Sequence, residues 1–231
     1  LMHTELDPHL DTMSIKEDSL VFIFENLLSK QNEGTNKYII KREIDCWQGR
    51  ADLVTAEVKG DSCINNEQAI AMSNLTNAQI LALLHKKAPR SIQYLRNKTC
   101  LSEQTVKKSL RELMNLNVVT IDYKGNYIFH SDFQIPKVTF NAYEAKLHNW
   151  KRALYQAIQY YGFSQYSWVI MPEQYIKPAQ QNIYSFKENG IGLIGMDKHG
   201  NRKIYLKAKK NQPSRKAFYL VGIGKMLQTE D

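Results

Sequence analysis

Glu144 and Lys146 stand two residues apart at the end of Val138-Thr139-Phe140-Asn141-Ala142-Tyr143, a run of β-branched and aromatic side chains. Such a run reads as a buried strand. Side chains two positions apart on a strand share a face, so this one delivers a carboxylate and an ammonium side by side. The carboxylate can hold a divalent cation, and the lysine can orient or deprotonate a water, a pairing suited to metal-assisted phosphodiester hydrolysis. A solitary Glu-x-Lys also decorates surface strands as a solvated charge pair. The chemistry therefore needs a second carboxylate on a neighbouring strand. Asp52, in Gly49-Arg50-Ala51-Asp52-Leu53-Val54, supplies one. Two carboxylates suit a hard, oxygen-preferring ion such as Mg²⁺ or Mn²⁺.

The elements that must position these groups follow from periodicity. Residues 14–30 read as an amphipathic helix with Leu20, Phe24, Leu27 and Leu28 as its apolar stripe. Ser14 is placed to cap it, and Glu17 three residues later completes a capping box. Strands are expected near 37–44 and 50–56, joined by a turn through residues 45–49. Residues 57–73 look like a connector holding one short helix. After strand 138–145, a helix over 149–161 should bury Trp150, Leu154, Ala157 and Tyr161. Residues 166–171 form a strand ended by Pro172, 177–188 a polar helix, 191–196 a strand, and 202–208 a last strand after the turn Asp197-Lys-His-Gly-Asn.

Asp52 in Gly-Arg-Ala-Asp-Leu-Val, the Glu144-Ala145-Lys146 triplet and the following Gln156-x-x-x-Tyr160 resemble the PD-(D/E)XK, or restriction-endonuclease-like, nuclease superfamily. The resemblance covers residues 14–55 and 137–208. It implies an α/β fold with a mixed sheet flanked by helices. It also implies Asp52, Glu144 and the Ala145 carbonyl as metal ligands, with Lys146 positioning the water or stabilising developing charge. Gln156 would lie behind the ligands or face DNA, and Glu17 or Glu25 on the first helix would add an outer carboxylate. This chain departs from the simplest layout of the family in spacing, because ninety-one residues separate Asp52 from Glu144.

An insertion accounts for the gap. Within 75–130, helices are expected from Thr76 to His85 (stopped by Pro89), from Ser91 to Arg96, and from a Ser102 cap through Leu116. A hairpin follows, with 118–123 and 127–130 flanking Lys124-Gly125-Asn126. Three helices and a hairpin resemble a winged helix-turn-helix. Its third helix would place Val106, Leu110 and Leu113 inward and turn Gln104, Lys107, Lys108 and Arg111 toward DNA, with Lys124 on the wing. Winged helices also serve as protein-docking or dimerisation modules. The expected organisation is a first part of the nuclease-like core over 1–72, the winged helix over 73–132, and the second part with a basic C-terminal region over 133–231. Loop tips tolerate such insertions because few contacts are disturbed.

Composition points the same way. The net charge is +8, and from Lys198 to Gln228 there are nine basic residues and no acidic ones. Such a field attracts polyanions, DNA above all. The polar, acidic start is no secretory signal, and no apolar run approaches the ~20 residues of a membrane span. Cys46, Cys63 and Cys100 read as reduced thiols of a cytoplasmic protein. Gly190-x-Gly192-x-x-Gly195 satisfies a dinucleotide-binding pattern but sits in a strand, where no helix N-terminus meets a pyrophosphate, so no dinucleotide is expected. The six histidines show no zinc-type pairing. Tyr184, Tyr205 and Tyr219 read as packing residues rather than base-stacking ones. Asp45 with Glu57-x-Lys59 is a rival, more compact motif, although no apolar helix follows it. Function thus reads as a Mg- or Mn-dependent DNA nuclease, a homodimer if both strands are cut. The alternatives are a non-cleaving regulator on the same fold or a winged-helix interaction module.

Overall fold

The computed structural model describes residues 16–32, 38–47, 49–60 and 64–229. Its order is α1 (Glu17–Gln31), β1 (Tyr38–Asp45), β2 (Arg50–Lys59), α2 (Asn66–Ser73), α3 (Leu75–Leu83), α4 (Ile92–Thr99), α5 (Glu103–Asn115), β3 (Val119–Ile121) and β4 (Tyr127–Phe129). There follow β5 (Lys137–Ala145), α6 (Trp150–Gln159), β6 (Tyr166–Pro172), α7 (Lys177–Gln181), α8 (Ile183–Asn189), β7 (Gly192–Met196), β8 (Arg202–Leu206) and α9 (Lys216–Leu227). Six strands form one mixed sheet in the order β1-β2-β5-β6-β7-β8. The pairs β1–β2, β2–β5 and β7–β8 run antiparallel, whereas β5–β6 and β6–β7 run parallel. The helix α6 makes the crossover that a parallel β5–β6 pair requires.

Strand alternation sorts the core into layers. On one face, Leu53, Tyr143, Ala145, Ile170, Ile194 and Met196 pack against Leu20, Val21, Phe24 and Leu28 of α1. On the other, Val169, Met171 and Leu193 meet Ala153, Leu154 and Ala157 of α6 and Phe186 of α8. Beside them, Val54, Ala56, Phe140 and Ala142 belong to a larger core shared with α2, α3, α5 and α9. The expected α/β sheet flanked by helices is therefore present.

Between β2 and β5 lie α3, α4, α5 and the separate β3–β4 hairpin. Each helix has a polar cap that fixes its start: Asn74 accepts from Thr76 and Asn77, Ser91 from Tyr94, and Ser102 from Thr105. Arg90 and Tyr127 exchange backbone hydrogen bonds of 2.9 and 2.8 Å, which tie the hairpin to the α3–α4 connection. Val106, Leu110 and Leu113 of α5 are buried.

Several boundaries differ from the sequence expectation. Lys16, without a side-chain hydrogen bond, occupies the N-cap of α1, so Glu17 is the first helical residue and no capping box reaches it. Ser14 and Cys63 lie outside the described residues. The connector is shorter than expected because β2 runs on to Lys59, and α2 begins with its own capping box between Asn65 and Gln68. The polar helix is broken at Asn182 into α7 and α8. After Gln159, α6 tightens into a 3-10 turn over Tyr160–Gly162. Tyr160, at 1% exposure and in line with Ala153 and Ala157, is buried in place of the expected Tyr161.

The largest unforeseen element is α9. Its Leu220, Val221, Ile223 and Met226 are buried, and Gly224 lies so close to α2 that an added Cβ would come within 2.4 Å of the Ser73 amide nitrogen. Lys41 closes its C-terminus by donating to the Lys225 and Gln228 carbonyls at 3.1 and 2.8 Å. The three glycines of the dinucleotide-like pattern also have local uses. Gly190 ends α8 at φ 70°, Gly192 leaves room for the Trp168 ring, and Gly195 for the Glu173 carboxylate and the Tyr205 ring. No described helix is long and apolar enough to cross a membrane.

Candidate active site

Register brings the two sequence-distant carboxylates together. Leu53 pairs with Tyr143, and one position further along the antiparallel ladder Asp52 faces Glu144. The Ala145 amide donates to Asp52 Oδ2 at 2.8 Å, which joins the strands at the point where pairing ends. Glu144 is fully buried. Its Oε1 forms an ion pair with Lys146 Nζ at 2.9 Å, and its Oε2 accepts a hydrogen bond from the Tyr160 hydroxyl. The same hydroxyl lies 3.1 Å from the Arg50 carbonyl.

Lys146 is the hub. Besides Glu144, its ammonium reaches Glu17 Oε2 at 3.2 Å and the Ala145 carbonyl at 3.1 Å. Glu17 Oε1 also accepts from the Leu147 amide at 3.4 Å, so the first residue of α1 clamps the chain just past the Glu-x-Lys. Glu25 is committed elsewhere: it pairs with Arg42 of β1. Of the two first-helix glutamates, Glu17 alone joins the site.

The electrostatics follow from burial and crowding. Desolvation raises the Asp52 pKa, against the Ala145 N–H and Lys146, and Glu17 and Glu43 add to the rise. Desolvation also raises that of Glu144, with the Asp52 charge as the next cause, opposed by Tyr160 and Lys146. Burial pulls the Lys146 pKa down, yet Glu144, Asp52 and Glu17 together hold it above the usual lysine value. Tyr160 is held firmly protonated, by burial first and then by Glu144. It can therefore only donate to the carboxylate.

Among the described residues no three His, Cys, Asp or Glu side chains gather as a metal-binding cluster. The donor set is instead Asp52, Glu144 and the Ala145 carbonyl. Their chemistry fits a hard cation: all three offer oxygen, and burial first, then neighbouring carboxylates, raises both carboxyl pKa values. Lys146 supplies the opposing charge here, since its ammonium touches two of the three oxygen donors. Gln156 lies one helical turn before Tyr160, and its side-chain oxygen is buried without a hydrogen-bond partner. The rival motif is dispersed. Glu57 pairs with Tyr38 at one end of the β1–β2 ladder while Asp45 pairs with Arg50 at the other, seven residues and roughly 23 Å away.

The residues expected to contact DNA lie apart from this cluster. Gln104, Lys107, Lys108 and Arg111 are exposed on α5 and, with Glu103, line a shallow depression. Lys107 is tied to Glu103 at 2.6 Å, and Arg96 reaches the same carboxylate at 3.4 Å. Lys124 sits over the Tyr123 ring at the hairpin tip, where Tyr123 is 91% exposed. In the basic C-terminal stretch, Lys216 and Lys225 are used internally, donating to the Ala82 and Asp45 carbonyls. Tyr160, named by motif alone, and Glu43, opposite Asp52 with a left-handed φ of 52°, are site residues that sequence reasoning did not place. No known protein family, curated protein or solved structure matches the chain.

Proposed function

We propose that this chain is a metal-dependent DNA nuclease with a restriction-endonuclease-like core, interrupted by a winged helix formed by α3, α4, α5 and the β3–β4 hairpin. One observation carries the reading: Asp52, Glu144, the Ala145 carbonyl and Lys146 converge at one end of the sheet from strands ninety-one residues apart. A structural ion pair needs one carboxylate and one cation. A second, desolvated carboxylate held beside them is costly to stability and is typical of functional sites.

Asp52, Glu144 and the Ala145 carbonyl would hold Mg²⁺ or Mn²⁺, which when bound supplies Lewis-acid activation of the phosphate and of a water. The chain's own groups do the rest. Tyr160 fixes the Glu144 carboxylate through Oε2 and keeps Oε1 turned toward Lys146 and the site. Lys146, whose ammonium lies against Glu144 Oε1 and the Ala145 carbonyl, would orient the water or stabilise the charge developing on phosphate. Glu17 holds the same ammonium at 3.2 Å and would help to keep it in place. Lys108 and Arg111 of α5 and Lys124 of the hairpin would neutralise duplex phosphates and set the register.

A non-cleaving DNA-binding regulator is the second reading. It is favoured by Glu144 being fully buried, with both carboxylate oxygens already engaged. Plasmid nicking in Mg²⁺ separates the two. Asp52→Ala, Glu144→Ala and Lys146→Ala should each cut at least about 100-fold more slowly while binding DNA much as before. Undiminished nicking by Glu144→Ala contradicts the assigned site, and binding without nicking by the wild type leaves the regulator.

A further inference from the structure

We propose that Trp47 is a stacking platform for an unpaired nucleobase at the lip of the carboxylate site, so that the preferred DNA carries a single-stranded stretch beside the cut. The location of the cut rests on the nuclease reading; the platform itself is a binding property. Trp47 lies in the turn between β1 and β2 and is 56% exposed. One exposed aromatic ring is ordinary in itself. Its support and its place set this one apart.

The support is rigid. Trp47 has a left-handed φ of 68°, a conformation that disfavours any residue with a Cβ. It is held there because its amide donates to Asp45 Oδ1 at 2.8 Å. Lys225 of α9 grips the Asp45 carbonyl, and Cys46 between them is fully buried. Further on, Gly49 lies beside the Tyr160 ring, where an added Cβ would stand in ordinary contact at 3.4 Å. An indole whose backbone is held from the Asp45 side loses less freedom when a base stacks on it.

The chain carries this ring close to the site. Gly49 is two residues away, so its Cα lies within about 7 Å of that of Trp47. Arg50 comes next: its carbonyl is 3.1 Å from the Tyr160 hydroxyl that donates to Glu144. The Arg50 and Glu43 side chains, 64% and 66% exposed, flank the same hairpin and pair only loosely at 3.6 Å. The Arg50 guanidinium can exchange that partner for a phosphate next to the stacked base. A paired base already has both faces covered by its neighbours, whereas an unpaired one offers a face to an indole whatever its sequence.

The test is fluorescence anisotropy without divalent cation, using a labelled oligothymidylate and a blunt duplex of equal length. Trp47→Ala should bind the single strand about tenfold or more weakly and the duplex as before, whereas Trp47→Phe should keep most of the affinity. Equal affinity of wild type and Trp47→Ala for the single strand, an equal loss on both probes, or full rescue by Trp47→Leu would overturn the platform. Cleavage of a splayed-end substrate, followed in Mn²⁺ on the same samples, keeps the two ideas apart. A wild type that shows the Trp47-dependent binding but cuts nothing removes the nuclease reading and leaves the platform standing. Cleavage and single-strand affinity both unaffected by Trp47→Ala remove the platform and leave the nuclease.

Discussion

Lys146 does at rest what a divalent cation would do at work: it lies against Glu144 and the Ala145 carbonyl and compensates charges that burial makes expensive. The compensation is incomplete, since Asp52 and Glu144 both keep raised pKa values. A carboxyl whose pKa rises on folding stabilises the fold below its unfolded value, near 4, and that contribution is lost as pH climbs through the folded value. Above those folded values the charged forms of the two groups are therefore a burden on stability. Asp52→Asn, which keeps an oxygen to accept from the Ala145 amide, should melt above wild type at pH 7–8, and calorimetry across pH should show the gain vanishing below about pH 4. A variant that melts lower at pH 7 would show that the Asp52 charge is a net asset. Glu144, Lys146 and Asp52 were legible in the sequence because strand alternation fixes which side chains share a face. Tyr160 was less so: the expected stripe through Trp150, Leu154 and Ala157 led to Tyr161, whereas the buried face runs through Ala153, Ala157 and Tyr160. The choice between Glu17 and Glu25 was equally closed, because it depends on how α1 crosses the sheet.

At the scale of elements, α5 matches its expected extent and the hairpin forms at the expected turn with shorter strands, since Ser102 and the Lys124-Gly125-Asn126 turn are strong local signals. What sequence could not show is that Lys107 is partly neutralised by Glu103. Lys108 and Arg111 then carry more of the expected phosphate binding. In Lys108→Ala/Arg111→Ala, duplex affinity should fall and the slope of log K against log salt should flatten by about 1.8, near 0.9 for each phosphate left without its cationic side chain. An unchanged slope in a filter-binding or anisotropy series would make this face a protein-docking surface instead. The helix α9 was missed for a different reason. Its apolar run is interrupted by Gly222 and Gly224 and set among basic residues, so it looked like a charged tail. Those glycines are where the helix meets its neighbours, since Gly224 fits against the backbone of α2 and Gly222 against Phe140.

For the molecule as a whole, the topology turns two weak sequence signals into one place. The chain leaves the sheet after β2, builds α2, α3, α4, α5 and the hairpin, and returns as β5 beside β2 in antiparallel register. Through α9 the sheet and the inserted helices share one continuous apolar core, so the α5 surface and the carboxylate end belong to a single packed body. The individual strands and helices were legible from alternation and periodicity and the mixed sheet from the family resemblance, whereas this continuity was not, because it depends on a C-terminal helix closing over residues 66–83. The central claim is that Asp52, Glu144 and Ala145 form a cation site where Lys146 now sits. Calorimetric titration of Mn²⁺ into wild type and Glu144→Ala, with plasmid nicking on the same samples, tests it most directly. Wild type should bind Mn²⁺ and nick the plasmid, and the variant should do neither. Equal Mn²⁺ binding by the two proteins, or nicking that survives in Glu144→Ala, would contradict it.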